Sequence, residues 1–82
     1  MIVLNQDRDL FGDFVAFTKA KAKASNDVLI YGKCFDGDYV LGRYDEKQAE
    51  KVFTEMNEAL AAGEMYEMPD KKDIVVIMTV KD

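Results

Sequence analysis

The alternation of apolar and polar residues predicts a β-hairpin in the middle of the chain. Two largely apolar segments, 28–35 and 38–44, flank the pair Asp36-Gly37. An Asp-Gly pair between strands favours a two-residue type I′ turn, because both positions tolerate a positive φ. The register set by this turn pairs Cys34 with Tyr39, and Ile30 with Arg43.

Both faces of the predicted hairpin are mainly apolar. One face carries Val28, Ile30, Cys34 and Leu41, and the other carries Leu29, Tyr31, Phe35, Val40 and Tyr44. A sheet with one face in water alternates apolar and polar residues instead. We therefore expect each face to be covered by another element or by a partner.

An amphipathic helix follows the hairpin directly. Asp45 is a good N-cap, Gln48 occupies the capping-box position, and Gly63 is a natural C-terminal stop. Helical spacing places an apolar stripe on one side, formed by Ala49, Val52, Phe53, Met56 and Leu60. We expect the charged side, which includes Glu46, Glu50 and Glu58, to be solvated, and an acidic docking surface is the alternative.

Shorter segments predict further strands at both ends of the chain. Met1–Leu4 is apolar and precedes a polar turn, and 64–68 forms a short strand that Pro69 ends. Ile74–Val80 is the most β-prone run in the sequence, and we expect it to pair in the sheet or across a dimer interface.

Leu10–Ala24 is compatible with either secondary structure, because alanine and lysine are strong helix formers. We predict two strands, Leu10–Phe11 and Phe14–Ala22, with a break near Gly12-Asp13. If the alternation continues to Lys23, Lys19, Lys21 and Lys23 share a face, which is typical of an edge strand protected from pairing with other chains. A small basic strip for an acidic partner or a phosphate is the alternative.

These elements predict the α+β class: a mostly antiparallel sheet of about five or six strands with one amphipathic helix on one face. The 82 residues form a single domain, in which residues 70–82 add a C-terminal strand. A chain of this size has a thin stability margin, so a partner chain would help it.

Composition narrows the classes of function. The net charge of -5 argues against direct nucleic-acid binding, which needs a basic face. No long apolar run and no basic leader are present, so we expect neither a membrane span nor a signal peptide. The single cysteine, Cys34, fits a reducing cytoplasm, and we interpret it as a small core residue rather than a nucleophile.

Catalytic groups are scarce in this sequence. It has no histidine, no cysteine pair and no phosphate-binding glycine loop, and we predict neither enzyme activity nor a cofactor. Asp7 with Asp9 and Asp36 with Asp38 are the possible carboxylate pairs, and we interpret both as turn residues rather than catalytic or metal-binding groups.

Aromatic residues on the second hairpin face suggest a different kind of site. Tyr31, Tyr44 and Phe35 lie there with Arg43 nearby, and this composition is typical of the energetic centre of a protein interface. The alternative is that the same residues pack in the core.

Four short motifs resemble small uncharacterised proteins of Firmicutes phages, prophages and other mobile elements. They are Ile2–Asp7 (Ile-Val-Leu-Asn-Gln-Asp), Leu41–Tyr44 (Leu-Gly-Arg-Tyr), Ala49–Val52 (Ala-Glu-Lys-Val) and Tyr66–Pro69 (Tyr-Glu-Met-Pro). The resemblance covers residues 1–69 and implies a β-rich domain with one helix and no established activity. The Lys-Ala alternation and the tail after residue 69 depart from the family pattern.

Three functions compete on these grounds. The first is a non-enzymatic binding module for a host or phage protein, such as an inhibitor of a bacterial defence system, which uses Tyr31, Arg43 and Tyr44 or Glu46, Glu50 and Glu58. The second is a structural homodimer. The third is a small-nucleotide sponge, in which Lys19, Lys21 and Arg43 surround a phosphate beside a stacking tyrosine.

Overall fold

A computed structural model describes residues 1–74 of the chain, and it confirms the α+β class. The described elements are β1 (Ile2–Leu4), β2 (Phe11–Asp13), β3 (Ala16–Lys21), β4 (Val28–Cys34), β5 (Gly37–Tyr44), α1 (Glu46–Ala62), β6 (Tyr66–Glu67) and a 3-10 helix (Lys71–Asp73). The strand predicted over Ile74–Val80 lies outside the described residues, except for Ile74 itself.

The six described strands form two sheets of three rather than one larger sheet. Their orders are β2-β1-β6 and β3-β4-β5, and β6 pairs with β1 in parallel while every other pairing is antiparallel. The chain crosses between the sheets at Phe14-Val15, where Phe14 N donates to Met1 O and Val15 N donates to Lys33 O. The break therefore lies just after the predicted Gly12-Asp13.

The hairpin turn lies one residue earlier than predicted. Phe35 and Asp36 form the loop, Cys34 pairs with Gly37, and neither loop residue has a positive φ, so the turn is not type I′. Gly37 takes the positive φ, at 142°. The Asp36 carboxylate holds the turn by accepting hydrogen bonds from Cys34 Sγ at 2.8 Å and from the Tyr39 hydroxyl at 3.1 Å.

A β-bulge in β5 then changes the register along the hairpin. Tyr31 pairs with Val40, whereas Ile30 pairs with Gly42, so Leu41 is an extra residue on the β5 side. Because side chains alternate between faces, one extra residue moves every later β5 side chain to the opposite face.

The bulge overturns the predicted positions of two residues. Arg43 pairs with Leu29 instead of Ile30, and this places it on the face opposite to the predicted one. Tyr44 pairs with Val28 and has 0% exposure, so it belongs to the core rather than to an open aromatic face.

The helix confirms the predicted caps. The Asp45 carboxylate accepts from Gln48 N at 2.7 Å, and the Gln48 side-chain oxygen accepts from Asp45 N at 3.2 Å. Gly63 ends the helix with φ 70°. Three members of the predicted stripe, Ala49, Val52 and Met56, are buried, and Phe53 packs against them partly buried. Leu60 is the exception, with 49% exposure.

The core lies between α1, the inner face of the β3-β4-β5 sheet and β1. Its buried residues are Val3, Phe14, Ile30, Leu41, Tyr44, Ala49, Val52, Met56 and Met68. The strand prediction for β3 is confirmed, and β3 is an edge strand. Its lysines lie on the helix side of the sheet, since Lys19 pairs with the buried Ile30 and its Nζ lies 4.8 Å from the Phe53 ring centroid.

The inner face leaves no room for a side chain at Gly32. A Cβ there would lie 2.7 Å from Phe14 Cδ1 and 2.8 Å from Leu41 Cδ1. We expect Gly32→Ala to lower the free energy of unfolding by about 1–3 kcal/mol in urea titrations, because the core must shift to accept the methyl group.

Gly12→Ala is the matched control, since its Cβ would meet the Phe14 ring at an ordinary 3.4 Å. We expect it to change the free energy of unfolding by less than about 1 kcal/mol. Equal effects of the two substitutions would contradict the tight contact at Gly32.

Candidate protein-binding surface

The surface that collects predicted site residues is the side of the β3-β4-β5 sheet that faces away from α1. We call it the outer face, and its residues include Thr18, Ala20, Leu29, Tyr31, Val40 and Arg43. Val40 is 47% exposed, Leu29 and Tyr31 are partly buried, and Thr18 and Ala20 are exposed. Within residues 1–74, the outer face is therefore accessible and partly apolar.

Arg43 is held in place at the edge of the outer face. Its Nε donates to Asp27 Oδ2 at 2.8 Å and its Nη2 donates to Ser25 Oγ at 3.0 Å. The hydrogen bond from Arg43 lowers the pKa of Asp27, and Lys71 Nζ, 3.5 Å from the same oxygen, adds to the effect. The guanidinium side chain is still 51% exposed, so it remains accessible to a partner in a fixed orientation.

A shallow cleft borders the outer face beside Arg43. Leu29 and Val40 form part of its lining, and Asp7 and Lys71 lie on its other side, around a volume of about 530 Å³. The Gln6 side chain also lines the cleft, and it accepts from Arg43 N at 2.8 Å. The cleft therefore gives this edge of the outer face a concave shape and charged residues of both signs.

Tyr44 takes no part in this surface. Its hydroxyl donates to Pro69 O at 2.7 Å, and burial raises the pKa of the phenol well above its usual value. Phe35 also lies apart, fully exposed at the hairpin tip. The predicted cluster is therefore divided: Tyr31 and Arg43 share the outer face, Tyr44 is structural, and Phe35 is at the turn.

The three predicted glutamates are all exposed on α1, but only two of them line the same cleft. Glu46 and Glu50 line a cleft of about 300 Å³ together with Lys19 and Lys21, so cations accompany their charges. Glu58 is exposed two turns further along α1 and is not among the residues that line this cleft. An acidic docking surface made of all three stays a prediction.

The cations proposed for a nucleotide site are also separated. Lys19 and Lys21 lie on the helix side of the sheet, opposite Ile30 and Val28, whereas Arg43 lies on the outer face. They therefore cannot surround one phosphate.

Cys34 is placed for structure rather than for reaction. The Asp36 carboxylate that accepts its thiol hydrogen bond raises the pKa of Cys34, which favours the unreactive thiol form. The same carboxylate is occupied by Tyr39, and the hydrogen bonds from Cys34 and Tyr39 lower the pKa of Asp36. Asp9 is similarly occupied, because Asn5 Nδ2 donates to its carboxylate at 2.7 Å.

Two further findings concern the described residues as a whole. Among residues 1–74, no three cysteine, aspartate or glutamate side chains come together in a group that would hold a metal ion. The helix in this part of the chain is also too short and too polar to cross a membrane.

The hydroxyl of Tyr44 generates a first test of these assignments. Tyr44→Phe leaves Pro69 O without its donor, and we expect the free energy of unfolding to fall by about 1–2 kcal/mol. Tyr66→Phe is the matched control, because Tyr66 is only partly buried, and we expect a smaller loss. Urea titration measures both, and a larger loss for Tyr66→Phe would contradict the structural role of the Tyr44 hydroxyl.

The two raised tyrosine pKa values generate an alkaline test. Burial raises the pKa of Tyr66 to about 12, and burial also raises that of Tyr44. Above pH 10 the unfolded chain releases these protons while the folded protein keeps them, so stability is complete below pH 10 and falls as the pH rises.

For each such tyrosine, the free energy of unfolding falls by up to about 1.4 kcal/mol per pH unit in this range. We expect Tyr44→Phe to make the loss between pH 10 and 11.5 shallower than in the wild type, as measured by urea midpoints. An unchanged slope would show that Tyr44 ionises normally in the folded protein.

Comparison with known proteins found no matching family model, no matching curated protein and no matching solved structure. The resemblance to phage and mobile-element proteins stays a prediction, and the assignment of a function depends on the geometry of the surfaces described above.

Proposed function

We propose that this protein is a non-enzymatic binding module that engages a host or phage protein through the outer face. The observation that carries the proposal is an accessible, partly apolar sheet face that combines Tyr31 with a fixed Arg43. Tyrosine and arginine are the residue types enriched at the energetic centres of protein interfaces. The resemblance to phage proteins suggests a bacterial defence protein as the partner, which the binding would inhibit.

The chemistry of the outer face specifies the partner. Leu29, Tyr31 and Val40 match an apolar patch on the partner, and the exposed part of Arg43 matches a carboxylate at the rim of that patch. Because Asp27 and Ser25 already orient the guanidinium, little side-chain entropy is lost when the partner binds. Rigid strands beneath these side chains favour binding without rearrangement.

Self-association is the competing function, since a second copy would bury the same apolar residues. Asp38 pairs with Lys33 across the hairpin on this face. In a two-fold dimer, the aspartate of one copy is therefore available to the lysine of the other. The experiment must therefore separate a foreign partner from a second copy.

The test uses a photo-crosslinking residue at position 40, with position 57 on α1 as the control. Val40 is 47% exposed and Asn57 is exposed, so neither change disturbs the core. We expect a foreign protein to crosslink from position 40 and not from position 57 in the host cell.

The captured protein is then purified and titrated against the wild type, Val40→Lys and Asn57→Lys. We expect Val40→Lys to weaken binding by about tenfold or more, because it places a charge in the apolar contact, and Asn57→Lys to leave the affinity unchanged. Equal affinities would refute the outer face as the site. A crosslink to a second copy, with dimers in light scattering, would replace the proposal by self-association.

A further inference from the structure

The C-terminal end of α1 and the β2-β1-β6 sheet enclose a second surface feature, which the outer face does not include. It is a groove of about 320 Å³ whose lining includes Met1, Ile2, Asp13, Leu60, Glu64 and Met65, and we call it the acidic groove. Its apolar members are well exposed, with Ile2 at 40%, Leu60 at 49% and Met65 at 56%. These three side chains contribute little to the core.

The apolar surface continues from the groove along β1 and β2. Leu4 lies on the same sheet side as Ile2, two residues further on, and pairs with Phe11, which is 60% exposed. Val3 points the other way and is completely buried. The side of this sheet that faces away from the core is therefore an extended apolar strip that leads into the groove.

Two exposed glutamates lie beside this strip. Glu64 lines the groove, Glu67 pairs with Leu4 on the neighbouring strand, and both are exposed. Asp13 also lines the groove, and its carboxylate lies 3.0 Å from the Met1 nitrogen, so its charge is partly compensated. The remaining negative charge is therefore concentrated on Glu64 and Glu67.

The helix adds to the negative potential. Its last carbonyl groups lie at the groove, where Gly63 N donates to Leu60 O and Glu64 N donates to Ala59 O. The C-terminal end of a helix carries partial negative charge, and the last turn of α1 contains no basic residue to offset it. Residues 52–70 contain five acidic residues and no lysine or arginine.

We propose that the acidic groove binds a basic amphipathic segment of a partner protein. One apolar side chain of the segment enters between Ile2, Leu60 and Met65, and lysine or arginine residues that flank it lie against Glu64, Glu67 and the helix terminus. The flexible Met65 side chain adapts to anchors of different shape. Anionic membranes and nucleic acids are repelled by the same charges, which favours a basic protein segment as the occupant.

The proposal is independent of the outer face, because the groove lies on the other sheet. The probe is a synthetic amphipathic peptide of leucine and lysine, and a leucine and glutamate peptide of the same pattern serves as its control. Amide shifts in the full-length labelled protein locate binding. We expect the lysine peptide to shift residues 2, 60 and 63–65, and the glutamate peptide to shift none of them.

Substitutions separate the apolar contribution from the electrostatic one. We expect Met65→Gln and Glu64→Lys each to lower the affinity for the lysine peptide by about tenfold. We expect Val40→Gln, at comparable exposure on the outer face, and Asp73→Lys, with the same charge change, to stay within about twofold.

Equal peptide affinity of Met65→Gln, Glu64→Lys and the wild type would overturn the proposal, as would shifts confined to the outer face. If the peptide binds as expected while Val40→Lys keeps full affinity for the captured partner, the acidic groove stands and the outer face fails. If Met65→Gln and Glu64→Lys bind the peptide like the wild type while Val40→Lys loses affinity for the captured partner, the acidic groove fails and the outer face stands.

Discussion

One extra residue in β5 decides which side chains of this protein enter its core. Leu41 bulges out of register opposite Ile30 and Tyr31, and every later β5 residue changes face as a result. Tyr44 becomes buried as a consequence, and its hydroxyl reaches the carbonyl of Pro69. That hydrogen bond ties the second sheet's hairpin to the segment that follows β6, so the two halves of the molecule depend on the bulge.

The same bulge also decides which residues form the candidate binding surface on the outer face. It moves Arg43 onto the outer face, where Asp27 and Ser25 hold it beside Leu29 and Val40. The aromatic residue that would have extended this face, Tyr44, is used in the core instead. The outer face is therefore smaller than a fully aromatic face would be. The fixed cation at its edge favours binding of a specific partner over non-specific apolar association.

The second surface has a different physical origin. Within the described residues, sheet β2-β1-β6 buries one side, through Val3, and leaves Ile2 and Phe11 exposed on the other. Ile2, Leu60 and Met65 are left exposed there, next to a helix terminus whose last turn contains no basic residue. A chain of this size cannot bury all of its apolar residues, and several of those it leaves exposed lie on these two surfaces.

Local signals in the sequence determined the helix, its Asp45 and Gly63 caps, the six short strands and the α+β class, because caps, spacing and turn residues act over a few neighbouring positions. They did not determine the position of the turn, since the bonds from Cys34 and Tyr39 to Asp36 favour a loop one residue earlier. They also did not reveal the bulge, the split into two sheets or the fate of Tyr44. Those features depend on contacts between distant residues: Phe14 packing over Gly32, Arg8 Nη1 donating to Met68 O, and Tyr44 bonding to Pro69. Tyr31 and Arg43 share a face for the same reason, because only the long-range register of β4 against β5 brings them together.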